Sequence, residues 1–244
     1  MIVTITLNGV TVTKKIPTSW AEVKFKDLEQ ITKNPQDTTA ILSILTEIDV
    51  ETLKRAKIAN VDDIILALAF FQKDAPLVVP DKILGYPIPK DLGFETTMQY
   101  EDLKLHLKEL KDKKVTDQEM LSYYPLYCAI YACTQKNQAW LDDFNKRHEF
   151  VGDKAITLGT YHWLIAQEMA AEFNEAPATE VLAIGNFTLL KLIGLNLGIK
   201  NGVPIRLTRK MKLMLVLKSW VKSLVLPVQL HIWKRRLRTK KVNS

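Results

Sequence analysis

The chain opens with its strongest local folding signal, a two-residue turn between two runs of β-branched residues. The runs 2–7 and 10–15 flank Asn8-Gly9, a dipeptide that suits the left-handed backbone of a type I′ turn. The sequence therefore predicts a β-hairpin. Two strands alone are marginal in water, so we expect the hairpin to pack on helices or on a strand of another chain. Trp20 is the side chain expected to anchor it.

After the hairpin, apolar residues recur at helical spacing, which predicts a mainly α fold. Pro125 should kink or split the helix in which it lies. The predicted architecture is an N-terminal β-hairpin, a multi-helix body and a basic C-terminal helix. The expected helices span residues 25–32, 37–48, 61–72, 98–111, 116–135, 140–147, 158–173, 178–199 and 205–226, with shorter pieces at 50–56 and 228–237.

Prolines and charge divide the chain into four predicted parts. Residues 1–75 hold the hairpin and short helices. Residues 76–91 form a proline-rich connection whose apolar pieces could be short strands or extended segments. Residues 92–204 are the helical body, and residues 205–244 are a basic amphipathic segment.

Charge is distributed very unevenly along the chain. The net charge is +7, but residues 1–180 contain 20 Lys and Arg against all 27 Asp and Glu. The remaining 14 Lys and Arg follow Glu180 without a single acidic residue. This asymmetry predicts different partners for the two parts, or a C-terminal segment that meets an acidic surface.

Three interpretations of the basic segment remain open. Trp220 and Trp233 among cations are typical of a helix on an anionic membrane surface, and residues 206–241 could equally neutralise nucleic-acid phosphates. Alternatively, the apolar stripe of residues 213–224 packs within the protein or on a partner, with its cations facing an acidic surface. The residues expected to contact a partner are Trp20, Trp220, Trp233, Arg235, Arg236 and Arg238.

The residues that usually carry catalysis lack the spacing that it requires. We expect His106 and His148 on the surface, His162 in the core, and His231 alone in the basic segment. No two histidines have metal-ligand spacing, and neither a phosphate-binding loop nor a hydrolase elbow is present. The candidate carboxylates, Glu168 with Glu172 and Asp142 with Asp143, are expected on solvated faces. The sequence predicts a protein that is not an enzyme and that uses no metal or cofactor.

The cysteines and the apolar segments both bear on the cellular compartment of the protein. Cys128 and Cys133 lie in one apolar stretch and are expected to be small core residues rather than a disulfide. No secretory signal begins the chain, and no run of about 18 uncharged apolar residues occurs. We therefore expect a cytoplasmic protein.

Three segments are similar to phage tail assembly chaperones, including those of phages and prophages of Bacteroidetes. They are Ile16-Pro17-Thr18-Ser19-Trp20-Ala21-Glu22-Val23, residues 92–103 from Leu92-Gly93-Phe94-Glu95-Thr96 to Gln99-Tyr100-Glu101-Asp102-Leu103, and Ala178-Thr179-Glu180-Val181-Leu182-Ala183-Ile184-Gly185-Asn186-Phe187. The resemblance implies a protein that binds the tape measure and recruits tail tube subunits, within an oligomer or larger complex. It also implies a location in the host cytoplasm during assembly. The long basic C-terminus departs from the compact acidic members of that class, which is compatible with a stable virion component.

Overall fold

The computed structural model describes residues 1–33, 37–73, 75–89 and 91–196. These residues are mostly helical, with a small antiparallel hairpin at the N-terminus, as the sequence predicted. The predicted basic helix over 205–226 lies outside the described residues. The described residues divide into two compact units, the first formed by Met1–Val23 with Asp27–Pro76 and the second by Lys24–Lys26 with the described residues between 77 and 196.

A three-stranded sheet forms the start of the first unit. Strands β1 (Ile2–Leu7) and β2 (Val10–Lys15) are antiparallel. Asn8 and Gly9 join them with φ values of 51° and 81°, the left-handed pair that a type I′ turn needs. Strand β3 (Lys57–Ile58) pairs with the other side of β1. This third strand, absent from the sequence prediction, makes β1 the central strand.

Short helices complete the first unit. Asp37 caps one helix by accepting hydrogen bonds from the Thr39 and Ala40 amides, and Asp49 caps the next by accepting from the Thr52 amide. The predicted helix over 61–72 is α-helical only to Ala67 and continues as a 3₁₀ helix. The α-helices are α1 (Phe25–Lys33), α2 (Thr38–Thr46), α3 (Val50–Arg55) and α4 (Val61–Ala67), with 3₁₀ turns at Trp20–Glu22 and Leu68–Gln72.

The second unit starts in the proline-rich connection and continues as helices. Strands β4 (Lys82–Ile83) and β5 (Tyr86–Pro87) form a very short hairpin, while Leu77 to Val79 form no strand. The helices are α5 (Thr97–Asp112), α6 (Asp117–Leu121), α7 (Tyr124–Ala132), α8 (Gln138–Arg147), α9 (Trp163–Ala170) and α10 (Ala178–Asn196), with 3₁₀ turns at Cys133–Gln135, Gly152–Lys154 and Ala171–Glu175.

Helix α7 is the centre of the second unit. All nine of its residues are buried, and it packs against α9 and α10. A helix enclosed on every side needs apolar residues all round, which the sequence of α7 supplies. Pro125 stands in its first turn, where a missing amide proton costs nothing. The predicted helix over 116–135 is therefore split into α6, α7 and a terminal 3₁₀ turn.

The predicted helix over 158–173 was wrong at its N-terminal end. Residues 158–162 are not helical, and Gly159 has a φ of 78°, outside the helical region. His162 instead caps α9, because its Nδ1 accepts a hydrogen bond of 3.3 Å from the Leu164 amide. The chain becomes helical only at Trp163.

Candidate protein-interaction site on the edge strand of the first unit

Strand β2 is an edge of the three-stranded sheet. The strand order is β2-β1-β3, so within the described residues β2 has a neighbouring strand only on its β1 side. An exposed edge presents main-chain amide and carbonyl groups that can accept another strand. Every residue of β2 except Lys14 is exposed, and Lys14 itself is partly exposed.

The hydrogen-bond phase of the hairpin shows which main-chain groups of β2 point outward. Met1 and Ile16 exchange two hydrogen bonds of 2.8 Å, and Leu7 pairs with Val10 across the two-residue turn. Along an antiparallel strand, the main-chain N–H and C=O groups of successive residues point alternately toward one neighbouring strand and away from it. The even-numbered residues of β2 therefore bond to β1, while Thr11 and Thr13 direct their main-chain groups away from the sheet.

The apolar face of the sheet continues onto this edge. Val3 and Ile5 of β1 are 1% and 3% exposed, and Ile5 pairs directly with Val12. Paired residues have their side chains on the same face of the sheet, so the Val12 side chain lies on the same face as the buried Val3 and Ile5. Val10, two residues before Val12, lies on this face as well. Val10 is nevertheless 65% exposed and Val12 41% exposed. Among the described residues, the edge thus combines main-chain groups that pair with no further strand with exposed valines.

The two lysines at the end of β2 lie close to acidic residues of the same unit. Lys14 lies 3.7 Å from Glu47, and Lys15 lies 3.5 Å from Glu22. Glu22 also accepts hydrogen bonds from the Thr18 amide and hydroxyl. These hydrogen bonds, together with the nearby charge of Lys15, lower the pKa of Glu22. The lysine end of the strand is therefore close to electrically balanced, and Val10 to Thr13 carry no charge.

Trp20 lies in the interior of the first unit. It is 5% exposed, its ring meets Phe70 and Phe71 edge-on, and its indole N–H donates a 3.2 Å hydrogen bond to the Lys73 carbonyl. These contacts hold residues 20–22 to the end of the helical segment. Trp20 thus stabilises the unit, and its buried ring is not part of the exposed edge.

The other residues expected to contact a partner lie outside the described residues. They are Trp220, Trp233, Arg235, Arg236 and Arg238. The three interpretations of the basic segment therefore remain predictions.

The structure corrects the expectation for His106, which is half-buried in the second unit. Its ring centre lies 5.1 Å from that of Tyr123 and 5.6 Å from that of Trp163. Its Nε2 is buried and has no hydrogen-bond partner among the described residues. Burial lowers the His106 pKa. Tyr123 directly precedes α7 and Trp163 begins α9, and the helical pattern of α5 alone could not reveal these neighbours.

His148 and Glu168 were also predicted to lie on solvent-exposed surfaces, and the structure corrects both predictions. The His148 ring packs 4.4 Å from the Phe144 ring, and its Nε2 lies 2.5 Å from a Glu168 oxygen. Arg147 donates to both Asp143 and Glu168. Hydrogen bonds from Arg147, with a further contribution from His148, lower the Glu168 pKa. These residues fasten α8 to α9.

Glu172 takes part in a second such contact. It accepts hydrogen bonds of 2.6 Å from Lys136 and 3.1 Å from the Tyr86 hydroxyl. The Lys136 side chain is only 11% exposed, and its ammonium lies 5.0 Å from the centre of the Trp140 ring. Glu172 is thus a structural anchor for the short β4–β5 hairpin rather than a residue on a purely solvated face.

Metal-binding clusters and membrane-spanning helices are absent from the described residues. Within them, no group of three or more His, Cys, Asp or Glu side chains is placed to hold a metal ion. None of the helices in this part of the chain combines the length and hydropathy needed to cross a bilayer.

No protein-family model, curated protein or solved structure matches the chain significantly. The resemblance to tail assembly chaperones therefore rests on the three quoted segments. Two of them are framework in the second unit: residues 92–103 lead into and begin α5, and residues 178–187 form the first half of α10. Gln99 and Gly185, one from each segment, are packing positions inside this unit.

Proposed function

We propose that this chain is a phage-derived assembly or structural protein, akin to tail assembly chaperones, that acts by binding the tape measure and tail tube subunits. The observation that carries the proposal is the edge of β2, where main-chain groups that pair with no other described strand adjoin two exposed valines. The three segments that resemble tail assembly chaperones direct the proposal to that class of partner.

Strand addition is the binding mode that suits this edge. A partner segment that aligns with Thr11 and Thr13 gains main-chain hydrogen bonds, and side chains that cover Val10 and Val12 add apolar contact. Main-chain recognition tolerates different sequences, which suits a protein with more than one assembly partner. The sheet itself needs no rearrangement, because β1 is already held on both sides.

The buried thiols are consistent with a binding role. Cys128 and Cys133 are both buried, and burial raises their pKa values, to about 12 for Cys133. The thiolate is the nucleophilic form of cysteine, so neither side chain is prepared for nucleophilic chemistry near neutral pH.

The charge separation favours a second candidate function. Fourteen Lys and Arg without an acidic residue follow Glu180, so residues 205–241 could bind nucleic acid or an anionic membrane. Binding of either kind should weaken steeply with salt, because counterions compete for the same charges.

A pull-down from cells that express the native neighbouring genes separates these candidates. The bait is the full-length chain, compared with a chain that ends at Asn201 and so lacks the whole basic segment. We expect tape-measure and tail tube proteins to accompany both baits. Capture only by the full-length chain, released by nuclease, would instead support the nucleic-acid function. Binding to anionic vesicles but not to neutral ones would support membrane attachment.

A further inference from the structure

The exposed edge of β2 is self-complementary. Two copies of an antiparallel edge can pair about a twofold axis perpendicular to the sheet, which keeps the apolar faces of both copies on one side. In that arrangement, outward-pointing residues must oppose outward-pointing residues. Twofold registers that obey this rule can be centred on Thr11, on Val12 or on Thr13. The register centred on Val12 aligns residues 10–14 of the two copies, and Thr11 of each copy then opposes Thr13 of the other.

This register places Val12 of one copy opposite Val12 of the other. Both valines lie on the face that is buried in β1, and they form a non-hydrogen-bonded pair, in which side chains approach most closely. The Thr11–Thr13 pairs on either side each exchange two main-chain hydrogen bonds. A register centred on Thr11 would align only residues 10–12, and one centred on Thr13 would set Val12 opposite Lys14. The register centred on Val12 therefore combines the longer overlap with valine opposite valine.

The charges at the end of the strand allow this pairing. Lysines on an edge strand commonly discourage association, but in this register Lys14 opposes Val10 of the second copy, so no lysine faces a lysine. Glu47 and Glu22 lie beside Lys14 and Lys15 within each copy. The residues from Val10 to Thr13, which supply the centre of the contact, are uncharged.

We infer that a second copy of this chain pairs with the edge of β2, centred on Val12, and joins two three-stranded sheets into one. The inference rests on the proposed function, because it names an occupant of the same binding edge. One strand-to-strand contact is smaller than the roughly 1,200 Å² of a standard stable interface. The dimer should accordingly be weak and concentration-dependent, so that an assembly partner can replace the second copy.

Sedimentation equilibrium of the purified full-length chain tests the association. We expect a monomer mass of 27.9 kDa at low micromolar concentration and a rise toward twice that value at several hundred micromolar. Val12→Lys puts like charges opposite each other at the twofold axis, and should weaken association at least about tenfold. Val78→Lys, at a valine that is 74% exposed outside the sheet, is the matched control and should associate like the wild type.

Disulfide cross-linking tests the register. Val12→Cys should form a covalent dimer on mild oxidation, because the α-carbons of such a pair lie about 4.5 Å apart, within the range that a disulfide spans. Val10→Cys, opposite Lys14, should cross-link at least about tenfold more slowly. The native thiols should not interfere, since both are buried.

Three results would overturn the inference. They are a monomer at the highest concentration, association unchanged by Val12→Lys, and cross-linking of Val12→Cys no faster than that of Val78→Cys. These measurements use the chain alone. A monomeric chain that still captures tail proteins would therefore remove the dimer and leave the proposed function standing.

Discussion

The aromatic ring of Tyr124 lies directly against Gly185, where helix α7 meets helix α10. A β-carbon added to Gly185 would stand within 2.8 Å of three carbons of that ring, closer than carbon atoms approach in proteins. The Tyr124 hydroxyl donates a 2.8 Å hydrogen bond to the neighbouring Asn186. The absence of a side chain at Gly185 therefore sets how closely the two central helices pack.

Gly185→Ala should destabilise the protein although alanine is the better helix former. The added methyl group overfills the contact, and overpacking typically costs about 1–3 kcal/mol. Denaturant unfolding measures this loss. In a Tyr124→Leu background the same substitution should cost less, because the smaller side chain leaves room. An equal loss in both backgrounds would contradict the proposed contact.

Gln99 should be a strong determinant of stability. It is fully buried, its Oε1 accepts hydrogen bonds from the Glu95 and Thr96 amides, and its Nε2 donates a 3.1 Å hydrogen bond to the Ile130 carbonyl. Gln99→Leu leaves these groups without partners, which should lower the free energy of unfolding by about 1–3 kcal/mol. Gln138→Leu, at an exposed glutamine, should change it by less than about 0.5 kcal/mol. Equal effects at both positions would refute the assignment.

The two thiols should be inert in the folded protein. Burial raises the pKa of Cys133 to about 12 and that of Cys128 well above its ordinary value. A thiol reagent at neutral pH should therefore label neither cysteine in the native state and both after unfolding in denaturant. Rapid labelling of the native protein would show that one of them is accessible.

His106 should make stability fall on acidification. Burial holds its pKa below the ordinary value of 6.5, while Glu109 opposes and Lys113 assists this shift. Because the unfolded chain binds the proton more tightly, this part of the stability is complete above about pH 6.5 and is lost as the pH falls below it. His106→Phe should lose less stability than the wild type between about pH 7.5 and pH 5. Identical pH profiles would show that His106 does not contribute.

The local elements of the fold were predictable wherever their signals lie within one segment. Asn8-Gly9 between β-branched runs predicted the hairpin, and the apolar period of residues 178–199 predicted α10, which the structure describes from Ala178 to Asn196. Strand β3 escaped prediction, because a two-residue strand such as Lys57–Ile58 carries no periodicity and exists only through its pairing with β1.

The side-chain environments were less predictable than the helices. His106 and Glu172 were both predicted to be exposed to solvent, but their contacts come from residues 17 to 86 positions away, such as Tyr123 and Tyr86. No local pattern encodes such contacts. For the candidate site, the sequence predicted the hairpin and its possible role in pairing. The exposure of Val10 and Val12 on the apolar face became visible only in the folded unit.

The most direct test of the central claim is capture of purified tail tube subunits or tape-measure protein by edge variants of the full-length chain. Thr13→Pro removes an outward-pointing amide without breaking the ladder to β1, and Val78→Lys serves as the surface control. We predict that capture is lost with Thr13→Pro, while far-ultraviolet circular dichroism and thermal unfolding stay close to the wild type, and that capture is kept with Val78→Lys. Undiminished capture by a folded Thr13→Pro chain would contradict binding through the edge of β2.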